Sequence, residues 1–339
     1  MGICHHRGEL DIFSSISKSD FEFIKQIGRG ALGKVWQVVH KKSKTDLAIK
    51  LYTKDEIPSK EVLNSIIRER SILSILSNPF IINLNFAFQD NKNLYLGLDL
   101  KLGGDLRFNM NKRRFNEIEA KFIIFCVLQG LEYLHASGVI HKDVKPENII
   151  LDSQGYAFLT DFGASTIFHS ENSGETSGTP GYMAPEVICR QNHGFVSDFF
   201  GLGVILHEFM FQTRPYKGRD RKEIREGILE KQYKIIESTV PEGWSMESVD
   251  LCNKLLKRKP EHRIGFEGID KIKEHNWFRD LDLEGVKKFL AKAPYVPGFN
   301  NNFDQNYVAL KKKKQELKEK FGPNDFLGYF FLPTLQNSY

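Results

Sequence analysis

Three short runs rich in β-branched and aromatic residues, 21–27, 34–40 and 46–52, follow one another near the start of the chain, each about a strand in length. A longer pattern succeeds them. Across 60–76, the apolar residues Val62, Leu63, Ile66, Ile67, Ile72, Leu73 and Leu76 recur in pairs about a helical turn or more apart, which predicts a helix. The run 93–102 (Asn-Leu-Tyr-Leu-Gly-Leu-Asp-Leu-Lys-Leu) predicts a buried strand leading into a connector. The remainder is mainly helical. Ala120, Ile123, Ile124, Val127, Leu128, Leu131 and Leu134 give 117–136 a helical period, and 199–210 is an apolar helix. The Ser/Thr/Gly/Glu stretch ending at Ser177 is loop by composition, and residues 1–20, polar and Ser-rich, form a loosely held lead-in. A strand-rich first part followed by a helical second part predicts an α+β fold.

Composition narrows the function classes. With 339 residues the chain has room for about two domains, and a net charge of +5 over that length is too mild for a nucleic-acid binder. The four cysteines, Cys4, Cys126, Cys189 and Cys252, form no close pair, which argues against a zinc site or disulfide framework and for a reducing, cytoplasmic setting. No apolar run reaches the roughly 18 residues of a spanning helix, and the first residues lack the apolar core of a signal peptide.

The chemistry gathers in a few motifs. Gly28-Arg29-Gly30-Ala31-Leu32-Gly33 lies between two strand-like runs, so the glycines shape a hairpin able to lie over phosphates, where a dinucleotide fold would open a helix. Lys50 ends the buried-looking run Leu47-Ala48-Ile49, and Glu69 stands 19 residues further on, in the helix; taken alone, Glu69 between Arg68 and Arg70 reads equally as a solvated carboxylate. His141-Lys142-Asp143-Val144-Lys145-Pro146-Glu147-Asn148 precedes Asp161-Phe162-Gly163. Asp143 can take the proton of an attacking hydroxyl, Asn148 and Asp161 can hold a divalent metal on phosphates, and Lys145 offers a positive charge to the transferred group.

With these motifs the chain resembles the eukaryotic protein kinases from Phe21 to about Phe278. The resemblance implies a two-lobed kinase fold, with a small β-rich N-lobe over about 21–98 and a larger helical C-lobe over about 102–278. It implies transfer of the γ-phosphoryl of ATP, with Mg2+, to Ser or Thr of protein substrates; Lys145 favours Ser/Thr over Tyr. Lys50 would hold the α- and β-phosphates and Glu69 would fix Lys50. Gly28, Gly30, Gly33, Val35, Ala48, Leu98, Asp99, Lys101 and Ile150 would surround the nucleotide, and Asp105 would meet the ribose. Glu186 would pair with Arg263, and Asp198 would be structural. Asp105, Glu147 and Glu208 match carboxylates that favour basic residues upstream of the acceptor.

The likeness continues into a C-terminal tail, 279–339. Residues 294–299 and 302–304 resemble the tail of AGC-group kinases, and 326–331 (Phe-Leu-Gly-Tyr-Phe-Phe) resembles that group's terminal hydrophobic motif, which docks beside the helix carrying the glutamate. The runs 102–107 and 182–186 are similar to the YANK kinases. The basic run 311–314 reads as a solvated helix or linker. Gly2, with Cys4 beside it, resembles an N-myristoylation and palmitoylation site, except that His6 stands where Ser or Thr is usual; a peripheral membrane contact would follow from it. No nucleic-acid partner and no oligomer are expected. Two rival readings remain, a pseudokinase scaffold and an ATP-dependent enzyme acting on small molecules. Against the first stand Lys50, Glu69, Asp143, Asn148 and Asp161, all present; against the second stands the peptide-docking character of 178–186.

Three departures from the AGC pattern bear on regulation. Lys142 replaces the arginine before the catalytic aspartate, Glu175 stands at the activation-loop threonine, and Phe330 stands at the phosphorylatable residue of the hydrophobic motif. A carboxylate has one charge where phosphate has nearly two, and an ammonium lacks the guanidinium's fork, so the expectation is a weak, permanent Glu175–Lys142 clamp worth about 1 kcal/mol, the alternative being a solvated Glu175 with Thr176 taking the phosphate. Phosphatase-treated bacterial protein should therefore keep its basal activity in Thr176→Ala and lose part of it in Glu175→Ala. Full dependence on phosphorylated Thr176 would contradict this.

Overall fold

Five short runs in the first part of the protein pair into one antiparallel sheet. Its strands are β1 (Phe21–Arg29), β2 (Lys34–His40), β3 (Asp46–Thr53), β4 (Leu84–Gln89) and β5 (Asn93–Leu98), in the order β1-β2-β3-β5-β4. Helix α1 (Lys60–Ile75) follows β3. The computed structural model describes residues 16–29, 33–171, 177–298 and 321–332. Gly2, Cys4, Gly30, Glu175, Thr176 and the stretches 302–304 and 311–314 lie outside the described residues. The chain divides into two units, the first comprising Met1–Arg70, Asn83–Leu100 and Asp304–Tyr339, the second Ser71–Ile82 and Lys101–Phe303.

In the first unit Ile16, Phe21, Val38, Leu47, Ile49, Phe86, Phe88 and Tyr95 form one core cluster. Phe21 stacks on Phe86 at 5.0 Å and Phe88 on Tyr95 at 4.4 Å, geometry that adds to the burial itself. Phe86 explains a glycine: a Cβ at Gly97 would stand 2.1 Å from its ring, so the neighbouring strand must have no side chain there. The last residues of the lead-in, 16–20, are held more firmly than their polar composition suggests. Ile16 is buried in the cluster, and Ser17 N–H donates to Asp20 Oδ2 at 2.7 Å, closing a short 3-10 turn over Lys18–Asp20.

β5 ends at Leu98, and the connector begins at Asp99. Asp99 is the reason. Its carboxylate accepts from the backbone and side chain of Asn83 at 3.2 and 2.9 Å and from Asn85 at 3.0 Å, which draws the chain out of the ladder.

The C-terminal aromatic segment belongs to this unit. Phe331 exchanges two backbone hydrogen bonds of 2.9 Å with Ala87 in β4, Gln89 donates to Phe326 O at 2.8 Å, and Arg70 of α1 donates to Gly328 O at 2.6 Å. Phe326 and Tyr329 are buried, while Phe330, between Tyr329 and Phe331, is 52% exposed.

The second unit contains α2 (Leu106–Lys112), α3 (Glu117–Ala136), the paired strands β6 (Val139–Ile140) with β9 (Thr166–Ile167) and β7 (Ile149–Leu151) with β8 (Ala157–Leu159), then α4 (Pro185–Ile188), α5 (Val196–Phe211), α6 (Arg221–Glu230) and α7 (Met246–Leu255). Helices α3 and α5 make the core; α5 is buried on every side from Val196 to Met210 and starts three residues before its apolar run. Asn116 and Glu119 satisfy each other's backbone N–H at the start of α3, a reciprocal cap.

Arg263 is a fully satisfied buried charge. It forks onto Glu186 at 2.7 and 3.0 Å and donates further to Val196 O, Lys257 O and Arg258 O, so all five of its N–H groups have acceptors. Removing one partner from such a pair leaves a buried uncompensated charge. Arg263→Met should therefore cost about 3–5 kcal/mol, read as a lowered midpoint of urea unfolding, whereas a surface control such as Lys222→Met should stay within about 0.5 kcal/mol.

Candidate active site

The loop 141–148 is shaped by strain that one buried carboxylate offsets. Lys142 has φ 67°, a left-handed conformation costing a non-glycine residue about 1–2 kcal/mol. Asp198, in the first turn of α5, accepts from His141 N at 2.9 Å, from Lys142 N at 2.8 Å and from His135 Nε2 at 2.8 Å. Burial would raise the pKa of Asp198; the bonds from His135 and His141 outweigh it and hold the group below the usual aspartate value. His141 Nε2 donates to Thr160 O at 3.1 Å and Nδ1 accepts from Asp143 N at 3.3 Å, which fixes the ring between the two arms of the site.

Asp143 is the hub of the site. Lys145 Nζ donates to its Oδ2 at 2.5 Å, Asn148 Nδ2 donates to the same oxygen at 3.0 Å and to Asp143 O at 2.9 Å, and Thr179 N donates to Oδ1 at 2.8 Å. Lys145 Nζ also donates to Thr179 Oγ1 at 2.7 Å. Asp143, Lys145, Asn148 and Thr179 thus form one connected group. Asp161 adopts φ 62° and ψ 77° and is exposed, at the mouth of the Phe162–Ala164 turn.

Among the described residues no group of three or more His, Cys, Asp or Glu side chains is arranged to hold a metal unaided. The donors of Asn148 and Asp161 are oxygens, and the Asn148 amide nitrogen is already committed to Asp143, so its oxygen is left to face a ligand. Two hard oxygen donors suit Mg2+, which keeps several waters and takes phosphate oxygens for the rest.

In the first unit Lys50 Nζ lies 2.7 Å from Glu69 Oε1, and Tyr52 OH donates to Glu69 Oε2. Glu69 is 2% exposed, so it is a buried partner and not a solvated helix carboxylate. The strand register sets Val35 opposite both Gly28 and Lys50, and Ala48 opposite Leu98. Gly33 precedes β2, with the Tyr52 ring 3.0 Å from where a Cβ would stand.

The remaining predicted residues have structural partners of their own. The carboxylate of Asp99 is used on Asn83 and Asn85, and Lys101 Nζ sits 4.0 Å over the Phe158 ring, so both offer a ligand their main chain more than their side chains. Ile150 is the middle residue of β7 and bridges to Asp105. Asp105 caps α2, accepting from Phe108 N at 2.8 Å.

Sequence reasoning missed four participants: Tyr52, Thr179, Tyr182 and Arg107. Arg107 Nε donates to Glu147 at 2.9 Å, and its Nη2 donates to Tyr182 OH at 2.5 Å and to Glu208 at 2.9 and 3.1 Å; Tyr182 OH donates to Glu208 at 2.6 Å. Thr179 could have been found from its place in Gly178-Thr179-Pro180. Nothing local marks Arg107.

The Protein kinase domain model matches residues 21–278. The chain is 33% identical to a probable serine/threonine-protein kinase of Dictyostelium discoideum over 93% of its own length and 70% of the relative's. It is 35% identical to protein kinase 2 of the same organism, over 87% of this chain and 61% of that one. It is also 35% identical to human ribosomal protein S6 kinase alpha-1 over 90% of this chain, but spans only 42% of that protein. The chain belongs to the protein kinase family, and it is a serine/threonine kinase.

Burial pushes the pKa of Asp105 up to about 6; the Phe108 N–H opposes the shift and Glu147 adds to it. A carboxylate whose folded pKa exceeds its unfolded value of 3.8 stabilises the fold below that value, and the contribution is lost as pH rises through about 6. Carbon-13 NMR of the Asp105 carboxyl should show a midpoint near 6. Asp105→Asn, which keeps a capping oxygen, should flatten the fall in stability between about pH 4 and 6.

Proposed function

We propose that this kinase transfers the γ-phosphoryl of ATP to Ser or Thr hydroxyls of protein substrates through Asp143, Lys145, Asn148 and Asp161 of the second unit and Lys50 and Glu69 of the first. The observation that carries the assignment is the connected group around Asp143: a carboxylate held by Lys145, Asn148 and Thr179 N.

Asp143 receives the hydroxyl proton, and because both its oxygens are fixed by donors it meets that hydroxyl without reorganising. Lys145 stays beside it as a fixed positive charge for the equatorial oxygens of the group in flight, and Thr179 holds the ammonium from the far side. Asn148 and Asp161 would hold Mg2+, which when bound neutralises charge on the phosphates. Lys50 places its ammonium on the α- and β-phosphates; Glu69, itself fixed by Tyr52, sets the direction of that side chain. We assign to the nucleotide Gly28, Gly33, Val35, Ala48, Leu98 and the main chain of Asp99 in the first unit, and the main chain of Lys101, Asp105 and Ile150 in the second.

Basic residues upstream of the acceptor are favoured by Asp105, Glu147 and Glu208. The preference is milder than three bare carboxylates would give, because Arg107 already lies on two of them. For the described residues, no helix is long and apolar enough to cross a membrane.

Loss of one charge at a preorganised site costs about 100-fold or more in rate. Lys50→Met and Asp143→Asn should each lower kcat/KM on a Ser peptide by at least that factor in a Mg-dependent assay, with Thr tolerated in place of Ser and Tyr not. Full activity in either variant would defeat the assignment.

A further inference from the structure

We propose that Arg107 is a specificity-determining residue: it occupies, from within the chain, an acidic subsite for a basic side chain of the substrate, and so sets how strongly basic peptides are preferred. The inference rests on the kinase reading above and names a residue outside the phosphotransfer group.

Position comes first. Glu147 lies four residues beyond Asp143 in the same loop, and Tyr182 lies three beyond Thr179, whose N–H bonds to Asp143. The loop of Asp143 and the segment of Thr179 thus also carry Glu147 and Tyr182. The subsite is therefore beside the chemistry and belongs to the same unit.

Charge comes second. Glu147 and Glu208 project from different elements onto one guanidinium, and Glu208 is only 4% exposed. Two carboxylates converging this way need a cation, since a buried carboxylate without one is costly. Arg107 supplies it from the second residue of the chain after Asp105, and Tyr182 OH adds a neutral donor to Glu208. With Arg107 gone, the pair would have the charge and spacing to take a guanidinium or ammonium from a substrate.

A third observation shows that the subsite is incompletely filled. Glu147 Oε2 is buried and has no hydrogen-bond partner among the described residues. Arg107 approaches Glu147 through a single Nε–H on the other oxygen, and the fork that would satisfy both oxygens is turned toward Glu208 and Tyr182. A substrate donor would reach this shielded oxygen only if the Glu147 side chain turned, and Arg107 already lies on the other Glu147 oxygen and on Glu208. The intact protein should discriminate weakly in favour of a basic side chain here, and removal of Arg107 should make that discrimination strong.

The test uses the full chain and two families of fluorescent peptides with Ala at the acceptor, so that binding is read without catalysis. Each pair carries either arginine or its neutral isostere citrulline at one position two to five residues upstream. The ratio of Kd for citrulline to Kd for arginine is measured for the intact protein, for Arg107→Met, and for Arg107→Gln, whose amide still offers Glu208 a donor and guards against misfolding. At one position the ratio should rise about tenfold or more in both variants, the value of one charge-assisted hydrogen bond in a shielded site, and should fall back when Glu147→Gln is added. An unchanged or smaller ratio in folded Arg107→Gln would overturn the proposal. Failure of the kinase reading itself shows separately, as absence of phosphate transfer by the intact protein to the corresponding Ser peptide.

Discussion

The carboxylate of Asp198 is the point on which the catalytic unit depends. A buried ionised group is tolerated only when donors replace water, and here the donors are the backbone N–H groups of His141 and Lys142 and the ring of His135. That requirement works in both directions. The loop needs an acceptor to hold Lys142 in a left-handed conformation, and the acceptor needs the loop to remain charged in the core. Once the backbone of 141 and 142 is fixed, Asp143, Lys145 and Asn148 come into place within a few residues, and Thr179 closes the group from the other side.

The first unit solves a similar problem around Glu69. Its carboxylate is buried under an aromatic end of the chain, with Tyr329 at 1% exposure nearby, and it is satisfied by Lys50 on one oxygen and Tyr52 on the other. Burial, with the nearby Glu69 charge adding to it, raises the Tyr329 phenol well above its ordinary pKa, so it stays neutral there. The C-terminal segment is fixed partly by backbone: Phe331 pairs with Ala87, and Gln89 and Arg70 take the carbonyls of Phe326 and Gly328. Phe330 faces outward, so the position occupied by a modifiable residue in the resembled motif contributes exposed apolar surface here.

The acidic cluster is held by a different balance. Glu186–Arg263 and Glu208–Arg107 are both arginine–carboxylate pairs, yet they differ in completeness. Arg263 has every donor satisfied within the core, which makes it a fastening; Arg107 is partly exposed and shares one nitrogen among three acceptors, which makes it replaceable. On the proposed reading, substrate preference would depend on how this internal cation competes with one from the substrate.

Local pattern decided a good deal on its own. The runs at 21–27, 34–40 and 46–52 and the helices at 60–76 and 117–136 match the observed elements to within about two residues, because period and strand length are properties of neighbouring residues. The motifs that carry the kinase resemblance were equally legible, since Gly28, Lys50, the 141–148 loop and Asp161-Phe162-Gly163 are short and specific in composition. Tertiary structure alone decided what lies many residues apart. Ile16 joined the core of a sheet it does not belong to, Asp99 ended β5 by reaching back to Asn83 and Asn85, and Glu69 was buried by residues 17 and 19 positions before it. The meeting of Arg107 with Glu147, Tyr182 and Glu208, across 40, 75 and 101 residues, left no trace in any local pattern. The physical reason is that an ion pair is set by where the backbone carries its two ends, and that is fixed only when the whole core has packed.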